Sequence, residues 1–186
     1  ISLVPVIAKI TERIVQRQLH YYLSSNCLLS DSQHGFWPNH STASALIRIS
    51  DSILSAMDNS EISLLCLIDL SKCFDVISHS KLLDKLQLLG IDAGWFRSYL
   101  GGHTQSVCVS DSRGRRVLSK SLPNSVGVFQ GSALGPLLFT VFANDMSLHA
   151  PDARIVQYAD DTQVLVSGRR SELSMLVARL ETTLTA

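Results

Sequence analysis

Residues 62–70 read Ile-Ser-Leu-Leu-Cys-Leu-Ile-Asp-Leu, a nearly continuous apolar run that carries one carboxylate, Asp69, close to its end. A run this short and this apolar predicts a buried strand. A buried strand dictates much of what surrounds it. Its backbone groups need paired neighbours, and its faces need cover. Two β-rich segments, Ile155–Tyr158 and Thr162–Val166, are separated by Ala159-Asp160-Asp161 and predict a hairpin.

The cover is predicted to be helical. Ile7, Ile10, Ile14, Leu19 and Leu23 suggest an amphipathic helix over 7–23. Leu46, Ile49, Ile53 and Met57 share one face of a helix over 42–57, which Ser41 or Thr42 can cap. Leu82, Leu83, Leu86 and Leu89 point inward from a helix over 80–89, with Gly90 as its stop. Shorter helices are expected over 93–100 and, after Gly135-Pro136, over 137–146. Leu173, Leu176, Val177, Leu180 and Leu184 give a last amphipathic helix. Residues 26–44 are polar and turn-rich, and Asp111-Ser112-Arg113-Gly114 joins Gln105–Val109 to Arg116–Leu118 as a second hairpin. Strands and helices mix without a regular βαβ beat. The fold class is therefore α+β, an antiparallel sheet covered by helices on one face.

An apolar share of 46% with 17% charged residues describes a chain that folds. Its apolar runs are too short to cross a bilayer, and no signal-peptide pattern opens it. Ile1 stands where an initiator Met would, which implies a piece of something longer. Cys27, Cys66, Cys73 and Cys108 form no C-x-x-C pair, so they read as buried or partly buried thiols in a reducing compartment. None of the six histidines has a spacing that reads as a ligand set. Sixteen basic residues balance sixteen acidic ones, which counts mildly against a nucleic-acid surface. From charge alone, Arg113, Arg115, Arg116 and Lys120, then Arg169 and Arg170, read as a solvated hairpin and loop.

The chemistry lies in the carboxylates. Asp69 ends an apolar strand, where an isolated charge is costly unless it is paired, bound to a metal or met by water. Asp160 and Asp161 repel each other, and a tight turn can hold both near one cation. Asp-Asp is also common in turns for its local hydrogen bonds. Together the three acids offer hard oxygen ligands to two Mg²⁺ ions. Two such ions about 4 Å apart activate an attacking oxygen and stabilise a leaving one in phosphoryl transfer. Phosphatases and nucleases use the same device, so the substrate stays open at this point.

The motifs also resemble, in order, those of reverse transcriptases of non-LTR (LINE-like) retrotransposons. Gln33-His34-Gly35-Phe36 with Ser41-Thr42 resembles the first fingers motif, and Ile68-Asp69-Leu70-Ser71-Lys72-Cys73-Phe74-Asp75 the first catalytic motif. Trp95-Phe96-Arg97-Ser98-Tyr99-Leu100 is similar to a segment typical of this branch. Gln130-Gly131-Ser132 and Leu134-Gly135-Pro136-Leu137-Leu138-Phe139 resemble the motif that supports template and incoming nucleotide. Tyr158-Ala159-Asp160-Asp161-Thr162 resembles the hallmark box.

The resemblance implies a right-hand polymerase: fingers over 1–60, then a palm over 61–186 with interleaved fingers elements, cut before the thumb. It implies that Asp69 and Asp160 bridge two Mg²⁺ (or Mn²⁺) ions, that Asp161 supports them, and that the Leu70 carbonyl is a further ligand. Phe74 becomes a steric gate beneath the deoxyribose, and Gln130 and Gly131 lie along the nucleotide and template. Asp75 stays outside the catalytic set, as a structural hydrogen-bonding group. The implied partners are an RNA template, a DNA primer and a dNTP, with no membrane. The implied site of action is the nucleus. The later lysine, the primer-gripping hairpin, the thumb and the endonuclease domain of many relatives are implied to be missing.

Three positions depart from the family pattern. Trp37 and His40 stand where arginines usually grip the triphosphate, and Phe129 stands for the usual Pro before Gln130. Such Arg-to-Trp and Arg-to-His changes are those of decaying CpG codons. The alternatives are therefore a catalytically inactive remnant that at most binds nucleic acid, or a polymerase of another template class using the same acids.

Overall fold

The computed structural model describes residues 5–70 and 72–185. Ser71, within the first catalytic motif, lies outside them. The chain opens with helix α1 (Val6–Ser25) and, after a turn-rich stretch, helix α2 (Thr42–Asp58). Strand β1 (Ile62–Asp69) follows, then the short helix α3 (Cys73–Val76), α4 (His79–Leu88) and α5 (Gly94–Leu100). Four brief strands come next: β2 (Thr104–Gln105), β3 (Cys108–Ser110), β4 (Arg116–Leu118) and β5 (Leu122–Pro123). Helix α6 (Gly135–Ala143), strands β6 (Arg154–Tyr158) and β7 (Asp161–Gly168), and helix α7 (Leu173–Thr185) complete the order.

The principal sheet is antiparallel, in the order β1-β7-β6. Two small ribbons, β2 with β5 and β3 with β4, are exposed along their whole length. The expected α+β class therefore holds, but the cover differs from expectation because helices lie on both faces of the sheet. Ala45 and Ile49 of α2 pack with Val156 and Leu165 on one face. On the other, Val164 and Ile155 pack with Cys66, Ile68, Met146 and Leu180, so α7 and the 3-10 turn Met146–His149 share that duty. The larger core is helical. Leu23, Leu82, Leu86, Leu100, Leu134 and Leu138 are fully enclosed there.

Several expected faces rotate once their neighbours are in place. β1 is an edge strand, not a buried one, with Leu67 71% exposed. α2 covers that face over Val156 and Leu165 and stops short of Leu67. In α1 the inward side carries Glu12, Leu19 and Leu23, while Ile7, Ile10 and Ile14 face outward. In α2 the expected Ile49 is buried and Ile53 packs beside it, but Ala45 and Ala56 complete the stripe while Leu46 and Met57 are exposed. α7 buries only Leu176 completely. α6 gives way to the 3-10 turn before Met146 instead of running through it. Cys27 and Cys108 are exposed, contrary to the expectation of sheltered thiols.

Other local expectations find their mechanism. Ser41 caps α2 through a reciprocal pair: Ser44 N–H donates to Ser41 Oγ, and Ser41 N–H donates to Ser44 Oγ. Pro136 occupies the first turn of α6, where its missing N–H costs nothing. No helix among the described residues is long and apolar enough to cross a membrane.

Candidate active site

The register of the sheet brings the acids together. Asp69 and Asp161 are direct cross-strand partners at the end of the β1–β7 ladder. Directly opposed residues project from the same face with Cβ atoms about 5 Å apart. Tyr158 pairs with Asp161, so Ala159 and Asp160 form the two-residue loop of the hairpin. Three carboxylates thus share one rim of the sheet: Asp69 and Asp161 exposed, Asp160 half-buried.

Two of them also bear on one neighbouring thiol. Burial, above all, pushes the Cys73 thiol up to about 11. The negative charge of Asp160 adds to this, with smaller contributions from Asp69 and Asp75, against a backbone hydrogen bond that lowers it. One sulfur atom feels both the strand-end and the turn carboxylate.

Like charges directly opposed across a ladder are unfavourable by themselves. Among the described residues, none of the three forms an ion pair; the two pairs found are Lys85–Asp145 and Arg115–Asp111. Nor do three such side chains close into a ready-made metal cage among the described residues. Three hard, uncompensated oxygen donors on one rim fit a divalent cation, and like charges have no reason to close on one another before it arrives. The Leu70 carbonyl follows directly on Asp69. It accepts a hydrogen bond from Cys73 N–H (3.1 Å), which leaves its second lone pair. A cavity of about 720 Å³ opens beside this strand end, with Asp69, Leu70, Cys73, Phe139 and Thr162 on its wall.

The nucleotide-side residues of the sequence reading converge through α3. Phe74 is half-buried, stacked on Phe139 at 4.6 Å and edge-on to Phe36 at 6.1 Å. Its carbonyl accepts from Val128 N–H (2.7 Å), and the Ile77 carbonyl accepts from Gly127 N–H (2.7 Å). Gly127 has φ +82°, and a Cβ there would lie 2.6 Å from the Asp75 carbonyl oxygen, so only glycine allows this approach. The segment so docked carries Gln130, whose Nε2 donates to Asp75 Oδ1 (3.2 Å). Gln130 and Gly131 are both exposed. Asp75 therefore steadies Gln130 and lies outside the carboxylate rim.

Trp37 and His40 both pack on histidine rings. Trp37 packs on His20 at 4.8 Å and His40 on His34 at 4.9 Å. His34 is buried, and burial, followed by the charges of His40 and Arg48, holds its imidazole below the usual histidine range. Ser44 Oγ–H donates to the Ser41 carbonyl, so His34 Nδ1–H is the donor in its 2.8 Å bond to Ser44 Oγ.

Two features escape a reading by motif alone. Glu12, enclosed in α1, accepts from Tyr99 Oη–H (2.9 Å) and from Ala133 N–H (2.8 Å), tying three separate segments together. Burial drives the Tyr99 phenol far above its usual range, so it stays a donor. The other is the backing of the acidic turn. Ala159 is held at φ +55°, a left-handed conformation that costs a non-glycine residue roughly 1–2 kcal/mol. Gln33, buried, accepts from Ala159 N–H (3.1 Å) and donates to the Ala159 carbonyl (3.3 Å). In the sequence Glu12 is a lone acid within an amphipathic helix and Gln33 a polar residue two before a glycine, and neither pattern names its partner.

Comparison with known proteins agrees with this geometry. Residues 1–186 match the family described as reverse transcriptase (RNA-dependent DNA polymerase). The chain is 34% identical over 177 residues to the RNA-directed DNA polymerase from mobile element jockey of Drosophila melanogaster, covering 90% of this chain and 19% of that protein. It is 34% identical over 178 residues to the probable RNA-directed DNA polymerase from transposon BS of the same species, again 90% of this chain and 19% of that one. The chain thus spans about a fifth of the length of these relatives. Among solved structures, telomerase from Candida albicans in complex with a fragment of telomeric RNA superposes with a TM-score of 0.60 at 16% identity, over 92% of this chain and 32% of that one. Apo telomerase from Candida tropicalis does so with a TM-score of 0.53 at 15% identity, over 96% of this chain and 37% of that one. The chain belongs to the reverse transcriptase (RNA-dependent DNA polymerase) family.

Proposed function

We propose that this chain forms a fingers portion (about residues 1–60) and the palm with interleaved fingers elements (residues 61–186) of a retrotransposon RNA-directed DNA polymerase, and that Asp69, Asp160 and Asp161 are its metal-holding acids. The observation that carries this reading is the Asp69–Asp161 register, with Asp160 in the adjoining turn. The three carboxylates and the Leu70 carbonyl would hold two Mg²⁺ ions, with Mn²⁺ as a substitute. Such ions supply charge neutralisation and activation of the attacking hydroxyl in phosphoryl transfer.

The remaining work falls to positioning. Phe74, braced between Phe36 and Phe139, presents a fixed ring where the sugar of a dNTP would lie, and the space it fills is the space a 2′-hydroxyl needs. Gln130, steadied by Asp75, and Gly131, with no side chain at φ +94°, would let template and nucleotide approach the backbone. The partners on this reading are an RNA template, a DNA primer and a dNTP, with synthesis in the nucleus.

The test is primer extension on an RNA template by a chimaera in which residues 1–186 replace the matching segment of the jockey polymerase. Incorporation of dNTP over rNTP is expected, and Phe74→Val should narrow that preference by tenfold or more, a change on the order of 1–3 kcal/mol in pocket fit. A preference that Phe74→Val leaves unmoved would remove the gate. A chimaera inert with every nucleotide, beside an active parent, would favour the non-catalytic remnant, the reading that Trp37 and His40 support by standing in place of two arginines.

A further inference from the structure

The acidic turn does not hold itself. Its loop residue Ala159 sits at φ +55°, and non-glycine residues persist there only where the surroundings over-determine them. The surroundings here come from 126 residues away in the sequence, across the β6 side of the hairpin. Gln157 N–H donates to the Ser32 carbonyl (2.8 Å), and His34 N–H donates to the Gln157 carbonyl (2.7 Å), so residues 32–34 run as a parallel bridge beside β6.

Between these two bonds the Gln33 side chain reaches the turn. Its carboxamide pairs with both backbone groups of Ala159, as a neighbouring strand would. The same Oε1 also accepts from Gly35 N–H (2.7 Å), which fixes the orientation of the amide plane. Gly35 then lets the turn come close: a Cβ at this position would fall 2.1 Å from Ala159 N and 2.8 Å from Ala159 Cα. His34, bonded to Ser44 Oγ in the cap of α2, anchors the bridge to that helix. Every polar group of Ala159 and its close contact with residue 35 are thereby committed to one short segment, and the next residue in the chain is Asp160.

We infer that Gln33 is a positioning residue for Asp160: its carboxamide, seated by Gly35, locks the Ala159 backbone and so aims the turn carboxylate at Asp69. The inference rests on the proposed cation site. Gln33 touches neither substrate nor cation and acts only through Ala159. It predicts that losing the amide loosens the rim without dismantling the sheet, which the β1–β7 and β6–β7 ladders hold independently.

The experiment is Mn²⁺ titration of the 186-residue chain, followed by electron paramagnetic resonance, with hydrogen exchange at the Ala159 amide read alongside. Gln33→Met keeps the volume and removes both bonds. The expected result is Mn²⁺ binding weakened about ten- to a hundredfold, the range for outer partners of metal ligands, with faster Ala159 exchange. Ile49→Val, a core change in the α2–sheet cluster, serves as control and should leave the affinity within about twofold at a comparable loss of stability. If Gln33→Met does not fold, Gln33→Asn, which keeps the amide but shortens its reach by one methylene, should weaken Mn²⁺ binding in the same direction. Wild-type affinity in whichever Gln33 variant folds, or a loss no larger than that of Ile49→Val, overturns the inference. Mn²⁺ binding absent from the wild-type chain itself, or untouched by Asp160→Asn, overturns instead the cation site on which it stands.

Discussion

Asp160→Asn is expected to lower RNA-templated nucleotide incorporation by the jockey chimaera by at least about a hundredfold, the scale on which loss of one preorganised charge-stabilising group is felt. The substitution keeps the shape of the side chain and removes its charge. The turn survives it, because Gln33 and the Tyr158–Asp161 pair hold the loop through backbone groups and not through the Asp160 carboxylate. Stability should therefore stay level or rise, since Asn relieves the repulsion among three like charges. The Cys73 thiol reports the change independently. It is held at about 11 by burial and next by the charge of Asp160, so in Asp160→Asn it should titrate lower. Activity falling together with thermal stability would mean that the acid serves the fold and not the chemistry.

The second large effect lies away from the rim. Leu138→Ala should destabilise the chain by roughly 2–5 kcal/mol, measured by denaturant unfolding. Leu138 is fully buried beside Leu82 and Leu86, where α4 packs against α6, and its deletion leaves a cavity that the surrounding leucines cannot easily close. The control on a neighbouring helix is Leu88, 85% exposed, whose change to Ala should stay within about 0.5 kcal/mol. The motif that carries Leu138 has two parts. Gln130 and Gly131 are exposed, whereas Leu134, Leu137, Leu138 and Phe139 are the wall that holds the segment in place.

The sequence carried the elements and the acids plainly. A strand ending on Asp69, a hairpin turning on Ala159 and Asp160, and helices with identifiable caps all follow from spacing and local chemistry. Pairing of β1 with β7 does not, because nothing within either segment names a partner nearly a hundred residues distant; it was legible only through the order of the motifs. Helix faces were the weakest reading. Periodicity gives α1 one apolar stripe from Ile7 to Leu23, yet burial depends on which neighbour arrives: the larger core takes in Leu19 and Leu23 as expected and leaves Ile7, Ile10 and Ile14 open. β1 illustrates the same limit. Its apolar run says it belongs in a sheet, but an edge position leaves Leu67 open.

The roles of Gln33 and Gly35 were hidden for a related reason. A glutamine reads as a polar loop residue until the backbone it bonds is in view, and Gly35 reads as a turn glycine until Ala159 is found against it. Trp37 and His40 are legible as departures from the arginine pattern, and the structure adds where they go: onto His20 and His34.

Everything catalytic in this account depends on the acids of β1 and of the β6–β7 turn forming a single site for divalent cations. Calorimetric titration of the chain with Mg²⁺, repeated for Asp69→Asn, Asp160→Asn and the double variant, measures that directly. Binding is expected in the wild type, with loss in each single variant and no further loss in the double. Equal binding in all four chains, or losses that simply add as at two separate sites, would contradict a single site.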